Sequence, residues 1–127
     1  MKKRVLVIDD EPDLRQLLSI TLRRMSLDCF EADNVRAAKR LIQEHHFDLC
    51  LTDMMLPDGN GIDLVKEVQS SHPDLPIAVI TAYGNVETAV EALKAGAFDF
   101  IAKPVDISHL RAITEAAIKT SNNPKAA

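Results

Sequence analysis

The stretch Val5-Leu-Val-Ile-Asp-Asp-Glu-Pro-Asp13 decides how this chain folds, because four consecutive aliphatic residues end abruptly in a cluster of acids. A strand that is apolar on successive residues is covered on both faces of its sheet. Adjacent carboxylates at the end of such a strand repel each other, so a positive charge is expected between them. The stretch therefore predicts a buried strand with an acidic site at its carboxyl end.

Beyond this stretch, short apolar runs alternate with amphipathic stretches along the chain. The predicted strands are residues 4–8, 29–32, 48–52, 77–81 and 98–102. The predicted helices are residues 12–25, 35–45, 62–71, 86–95 and 107–119, with Gly96 ending the fourth in a left-handed conformation. The fold class is therefore α/β, a five-stranded parallel doubly wound sheet with five helices, whose ligand binds at the carboxyl ends of the strands.

Length and composition limit the functions open to the chain. With 127 residues, 46% of them hydrophobic, it fits a single globular domain. A net charge of -4 argues against intrinsic binding to nucleic acid or to an anionic membrane. No apolar segment after residues 1–4 is long enough for a signal peptide or a membrane span, so a cytoplasmic location is expected.

The residues at the predicted strand ends form an unusual set, namely Asp9 and Asp10, Asp53, Thr81 and Lys103. Crowded carboxylates are costly unless a hard cation lies among them, and Mg²⁺ suits a site with few protein ligands. An aspartate beside a divalent metal, a lysine and a hydroxyl group is suited to act as a nucleophile toward phosphorus. The set predicts phosphoryl chemistry at Asp53.

Each of these residues also has an ordinary structural interpretation. Asp10 and Thr81 could cap helices, Asp53 could belong to a turn, and Lys103 could be solvated. The functional interpretation is favoured because the features arise at separate places in the sequence and converge on one edge of one sheet.

Four motifs resemble the response-regulator receiver (CheY-like) domain of two-component signalling across residues 4–119. They are "VIDDEP", "LTDMMLPDGNG", "VITAYG" and "FDFIAKP". The resemblance implies a flavodoxin-like sheet of order 2-1-3-4-5. It also implies a receiver domain over residues 1–120 and the start of a linker over residues 121–127.

The resemblance assigns a role to each acid of the site. Asp53 would accept a phosphoryl group from a sensor histidine kinase. Asp10, Asp53 and the backbone carbonyl of Met55 would bind Mg²⁺ directly, and Asp9 would contribute partly through water. Activity would be confined to phosphorylation and slow dephosphorylation of Asp53, so the domain would not be an enzyme acting on other substrates.

The same resemblance implies a conformational switch. Thr81 and Lys103 would engage the phosphoryl oxygens, and residues 86–95, 98–102 and 107–119 would change partners, including a second receiver copy. Phe100 occupies the switch-aromatic position, where the family often has Tyr, so a hydrogen bond from that hydroxyl is absent. A cis bond is also implied between Lys103 and Pro104.

Residues 87–106 resemble the NtrC class, whose receivers precede a sigma-54-interacting AAA+ ATPase and a DNA-binding domain. Within that class, "FDLCLTDM" and "LPDGNGIDLV" resemble the regulators of type IV pilus genes. The chain has no phosphate-binding glycine loop and no basic recognition helix, so the output domains are expected outside it.

Three other functions are weighed against the receiver. A Mg²⁺-dependent phosphohydrolase would use Asp53 as nucleophile, but it needs a second acid two positions later, where Met55 stands. Met55 and Tyr83 are also expected to flank the line of attack and to hinder water there. A dinucleotide-binding domain lacks its glycines here. A phosphate-independent interaction module would not require the complete set of polar residues.

Overall fold

In a computed structural model, residues 2–82 and 86–122 are described, with side chains through residue 119. The elements in chain order are β1 (Arg4–Ile8), α1 (Pro12–Arg24), β2 (Asp28–Ala32), α2 (Val35–Glu44), β3 (Leu49–Asp53), β4 (Met55–Leu56), β5 (Gly59–Asn60), α3 (Gly61–Ser71), β6 (Ile77–Thr81), α4 (Val86–Ala95), β7 (Asp99–Ala102) and α5 (Ile107–Asn122).

The main sheet is parallel and has the strand order β2-β1-β3-β6-β7. This order is the predicted 2-1-3-4-5, because β4 and β5 form a separate antiparallel hairpin. The predicted fold class is confirmed. The hairpin was not predicted, since two-residue strands within "MLPDGN" carry no periodic signal.

The core has two halves, one on each face of the sheet. Val5 and Val7 of β1 belong to one apolar cluster, and Leu6 and Ile8 belong to the other. Successive side chains of a strand point to opposite faces, so an uninterrupted aliphatic run supplies both halves. The central strands β3 and β6 are buried along their whole length, as the sequence predicts for a doubly covered sheet.

Two boundaries differ from the predictions in ways that matter for function. Strand β3 runs from Leu49 to Asp53, so Asp53 is the last residue of the strand and pairs with Ile80 of β6. Helix α5 continues to Asn122, three residues beyond the predicted end at residue 119. The sequence of residues 120–122 lacks the apolar periodicity on which the predicted helix end was based, and residues 123–127 lie outside the described residues.

The segment after Asp53 is fixed by short-range hydrogen bonds. The Asp58 carboxylate accepts from the backbone N–H groups of Val35 and Arg36, at 2.7 and 3.1 Å, at the start of α2. Asn60 caps α3 by accepting from the Asp63 N–H group at 2.9 Å. These hydrogen bonds tie the segment before the third helix to the second helix as well.

Two further local predictions are confirmed at the ends of α4 and β7. Gly96 has φ of 115°, a left-handed conformation that suits glycine at the end of a helix. The Lys103–Pro104 peptide bond is cis.

Gly61 brings the start of α3 directly against the backbone of Asp53. A Cβ atom at this position would lie 2.5 Å from the Asp53 carbonyl oxygen and 3.3 Å from the Met54 Cα. The Gly61 N–H group also donates to the Met54 carbonyl oxygen at 2.8 Å. A side chain is excluded here because the neighbouring atoms are backbone and have little freedom to move.

We expect Gly61→Ala to lower the free energy of unfolding by about 1 to 3 kcal/mol, because the added methyl group forces the Asp53 backbone to shift. Gly59→Ala is the matched control. Its Cβ would meet only the Val35 side chain, at 3.0 Å, which has more freedom to adjust. Urea unfolding of both variants measures the difference, and equal losses would contradict a specific role for Gly61.

Candidate functional site

Three carboxylates meet at the carboxyl ends of the two central strands β1 and β3. Ile8 pairs with Thr52, so the next residues, Asp9 and Asp53, lie side by side. Carboxylate oxygens of Asp9, Asp10 and Asp53 lie within 4.8 Å of one another. Asp9 and Asp53 are buried, whereas Asp10 is exposed. The sheet register thus forces acids that are distant in sequence into one small volume.

Lys103 supplies a positive charge to this cluster from the loop after β7. Its Nζ lies 3.2 Å from Asp53 Oδ2 and 2.7 Å from Glu11 Oε1. Only 25% of the Lys103 side chain is exposed, so the interpretation of this residue as simply solvated is wrong. The site therefore contains a paired cation as well as three acids.

Glu11 is a site residue that the sequence analysis missed. It follows directly after Asp10, but nothing in the local pattern distinguishes an acid that contacts Lys103 from one that faces solvent. The N-cap residue of α1 is Glu11 and not Asp10, and the Glu11 side chain makes no capping hydrogen bond. The alternative role of Asp10 as a helix cap is therefore also wrong.

Thr81 and Phe100 lie on the two strands beyond Asp53. Thr81 is the buried last residue of β6, one position after the partner of Asp53, and its carbonyl oxygen accepts from the Lys103 N–H group at 2.8 Å. Phe100 is half-buried on β7, where it pairs with Val79 of β6. Thr81 therefore ends at the same edge of the sheet as Asp53.

Met55 follows strand β3 and points away from the core. It begins β4, two positions after Asp53, and is 74% exposed. Its position provides no acid or base next to the cluster. Tyr83, expected on the other side of the site, lies outside the described residues.

Burial and neighbouring charges perturb the acids and the lysine. Burial raises the pKa of Asp9 to about 6, helped by the charges of Asp53 and Glu11, although the Glu11 N–H group donates to Asp9 Oδ1 at 2.8 Å and opposes the rise. Burial alone would lower the pKa of Lys103, but the contact with Glu11 and the charge of Asp53 raise it. Lys103 is therefore a firmly charged ammonium group.

The donor set fits a hard divalent cation. Asp9 Oδ2 is buried and has no hydrogen-bond partner within the described part of the chain, which is costly for a carboxylate oxygen. Carboxylate oxygens are the ligands that Mg²⁺ prefers, and a cation beside them would remove both the repulsion and the unsatisfied oxygen. A site with two acids buried and one exposed also leaves an open side toward solvent.

The chain belongs to the family of response regulator receiver domains, whose family model matches residues 5–115. It is 54% identical to the response regulator protein PilR of Pseudomonas aeruginosa over 121 residues, which cover 95% of this chain and 27% of that protein. It is 38% identical to the regulatory protein AtoC of Escherichia coli, over 96% of this chain and 26% of AtoC. The chain thus spans about a quarter of these relatives, and the resemblance to pilus regulators of the NtrC class is confirmed.

Solved receiver domains share this fold. The beryllofluoride-activated NtrC4 receiver domain dimer is 33% identical, with a TM-score of 0.88, over 94% of this chain and 98% of that one. The receiver domain of NtrX from Brucella abortus is 35% identical, with a TM-score of 0.87, over 91% of this chain and 98% of that one. Across residues 2–82 and 86–122, none of the helices has the length and apolar content to cross a bilayer.

We expect Asp9→Asn to raise the free energy of unfolding at pH 7.5, without Mg²⁺, by about 1 to 2 kcal/mol. The folded pKa of about 6 lies above the ordinary value of 3.8, so the folded protein binds this proton more tightly. Ionised Asp9 lowers the free energy of unfolding. This effect reaches its full size above the folded pKa of about 6 and disappears as the pH falls toward the ordinary value of 3.8.

Urea unfolding at pH 7.5 and at pH 4.5 measures this difference. Asp63→Asn, on the exposed start of α3, controls for the loss of one negative charge. A stabilisation by Asp9→Asn that does not shrink at the lower pH would contradict the buried-charge explanation.

Proposed function

We propose that this domain is a phosphorylation switch in which Asp53 accepts a phosphoryl group from a sensor histidine kinase. The observation that carries the proposal is the contact of 3.2 Å between Lys103 Nζ and Asp53 Oδ2, beside a buried carboxylate oxygen of Asp9 that lacks a partner. Membership of the receiver family and the similarity to PilR support it.

In this proposal the carboxylate of Asp53 attacks the phosphorus of a phosphohistidine on the sensor kinase from the open side of the cluster. A P–O bond to Asp53 forms as the P–N bond breaks, and the kinase imidazole leaves with the electron pair of that bond. Asp10, Asp53, the Met55 carbonyl oxygen and, partly through water, Asp9 would hold Mg²⁺, which would supply positive charge to the transferring oxygens. Lys103 and the Thr81 hydroxyl group orient and hold the phosphoryl oxygens once they are on Asp53.

The output of the switch is a change in the surface made by α4, β7 and α5. A phosphoryl group on Asp53 adds acceptors that draw Lys103 and the end of β6 toward the site, and the half-buried Phe100 turns inward with them. Val86 and Val90, one turn apart on α4, are 71% and 44% exposed. This apolar face favours protein partners, and a second receiver copy is the partner that the proposal assigns.

In the full-length chain the receiver would control a sigma-54-dependent AAA+ ATPase and a DNA-binding domain in the cytoplasm. The support is similarity to PilR and AtoC, which are about four times as long as this chain. The receiver is proposed to cover residues 1–120, with the start of a linker over residues 121–127. The net charge of -4 leaves DNA binding to the output domain.

The proposal of a receiver is preferred to a phosphohydrolase because of Met55. A hydrolase needs a general acid or base beside the nucleophile, and the exposed thioether has no proton to exchange. A phosphate-independent module is less favoured because it gives no reason to keep the buried Asp9 Oδ2 atom without a hydrogen-bond partner among the described residues.

We expect a small-molecule phosphodonor to add one phosphoryl group to the domain, only when Mg²⁺ is present. Intact mass measures the adduct for the native chain and for Asp53→Asn, with Asp63→Asn as a control that keeps the site. An adduct that persists in Asp53→Asn would place the acceptor elsewhere. Steady release of phosphate without an adduct would support the hydrolase instead.

A stable phosphoryl mimic bound at Asp53 is expected to shift the backbone amide signals of α4 and β7 as well as those of the site. Nuclear magnetic resonance of the labelled domain measures these shifts, and residues of α2, on the far side of β1, serve as internal controls. Shifts confined to the residues that touch Asp53 would contradict the switch.

A further inference from the structure

We propose that Glu11 is a positioning residue for Lys103: it shares the ammonium group with Asp53 and keeps the lysine from closing onto Asp53 more tightly than the present contact of 3.2 Å. The inference rests on the proposed function and adds to it a residue to which neither the motifs nor the comparisons assign a role. The Lys103 ammonium group makes two contacts of unequal length, one with Glu11 and one with Asp53.

The contact with Glu11 is the shorter one. Lys103 Nζ lies 2.7 Å from Glu11 Oε1 and 3.2 Å from Asp53 Oδ2, although the Glu11 side chain is 59% exposed and that of Asp53 is 8% exposed. A buried carboxylate would ordinarily attract a lysine more strongly than an exposed one, because water screens the exposed pair. The ammonium group is nevertheless closer to the exposed acid.

Both partners of this contact are anchored by their backbones. The Glu11 N–H group donates to Asp9 Oδ1 at 2.8 Å, and the Glu11 carbonyl oxygen accepts from the Arg15 N–H group at 3.0 Å. The Lys103 N–H group donates to the Thr81 carbonyl oxygen at 2.8 Å. The ion pair therefore joins two fixed loops, one after β1 and one after β7, on either side of Asp53.

This position of the ammonium group preserves the reactivity of Asp53. A lysine paired tightly with Asp53 would neutralise the nucleophile and compete with a divalent cation for its oxygens. An ammonium group has three N–H donors, so Lys103 can stay bound to Glu11 and still reach a phosphoryl oxygen. Glu11 thus holds the lysine ready at the edge of the site.

A double-mutant cycle separates this role from a general effect of charge. Its four members are the native domain, Glu11→Gln, Lys103→Gln and the double variant, and its probe is Mg²⁺ alone, titrated by calorimetry. We expect Glu11→Gln to weaken Mg²⁺ binding about three- to tenfold in the native background, but by less than about twofold when Lys103 is already Gln.

Asp13→Asn is the matched control, because it removes the same charge from an exposed position in the first turn of α1. It should change Mg²⁺ affinity by less than about twofold. Equal effects of Glu11→Gln with and without Lys103, or an equal effect of Asp13→Asn, would overturn the role of Glu11.

The rate of phosphoryl gain at saturating Mg²⁺ gives a second reading. Glu11→Gln should slow it severalfold, and Glu11→Gln should have no further effect once Lys103 is Gln. If the native domain takes a phosphoryl group but the double-mutant cycle shows no coupling between Glu11 and Lys103, only the positioning role of Glu11 is contradicted. If Glu11 and Lys103 are coupled in Mg²⁺ affinity but the domain takes no phosphoryl group, the proposed function is contradicted instead.

Discussion

The mutual repulsion of three carboxylates held within 4.8 Å at the ends of two buried strands is the constraint on which this structure depends. The strands cannot relieve it, because β1 and β3 are locked by parallel pairing and by apolar cores on both faces. Relief must come from protonation, from a cation or from Lys103. The raised pKa of Asp9 and the contact between Lys103 and Asp53 are the two forms of relief that the domain itself supplies.

Much of the fold followed from local physical rules. Strands that are apolar on successive residues specified a sheet covered on both faces, and alternation with amphipathic helices specified parallel strands. The acids Asp9, Asp10 and Asp53, together with Lys103, were predicted because each lies within two residues of the end of a predicted strand, and such strands end at one edge. The prediction needed no knowledge of side-chain conformation.

The remaining features depend on contacts that no periodicity encodes. Glu11 became part of the site only through an ion pair that spans 92 positions of the chain. Asp53 was placed one residue beyond its strand, because a carboxylate normally marks the end of an apolar run; pairing with Ile80 overrides that tendency. The β4–β5 hairpin and its Asp58 contacts with α2 arise from turn geometry, which short polar segments do not reveal.

Burial of β1 on both faces also affects how the register of this strand in the sheet is specified. Each of Val5, Leu6, Val7 and Ile8 is apolar, so sliding the strand by one residue would exchange the contents of the two cores and still bury only aliphatic side chains. In most strands the hydrophobic pattern disfavours such a shift, but in β1 it does not distinguish the two registers. Asp9 disfavours the wrong register instead. A shift of one residue would draw its carboxylate into the sheet, away from any cation. The acidic end of β1, which forms part of the candidate site, therefore also specifies the register of this strand in the sheet.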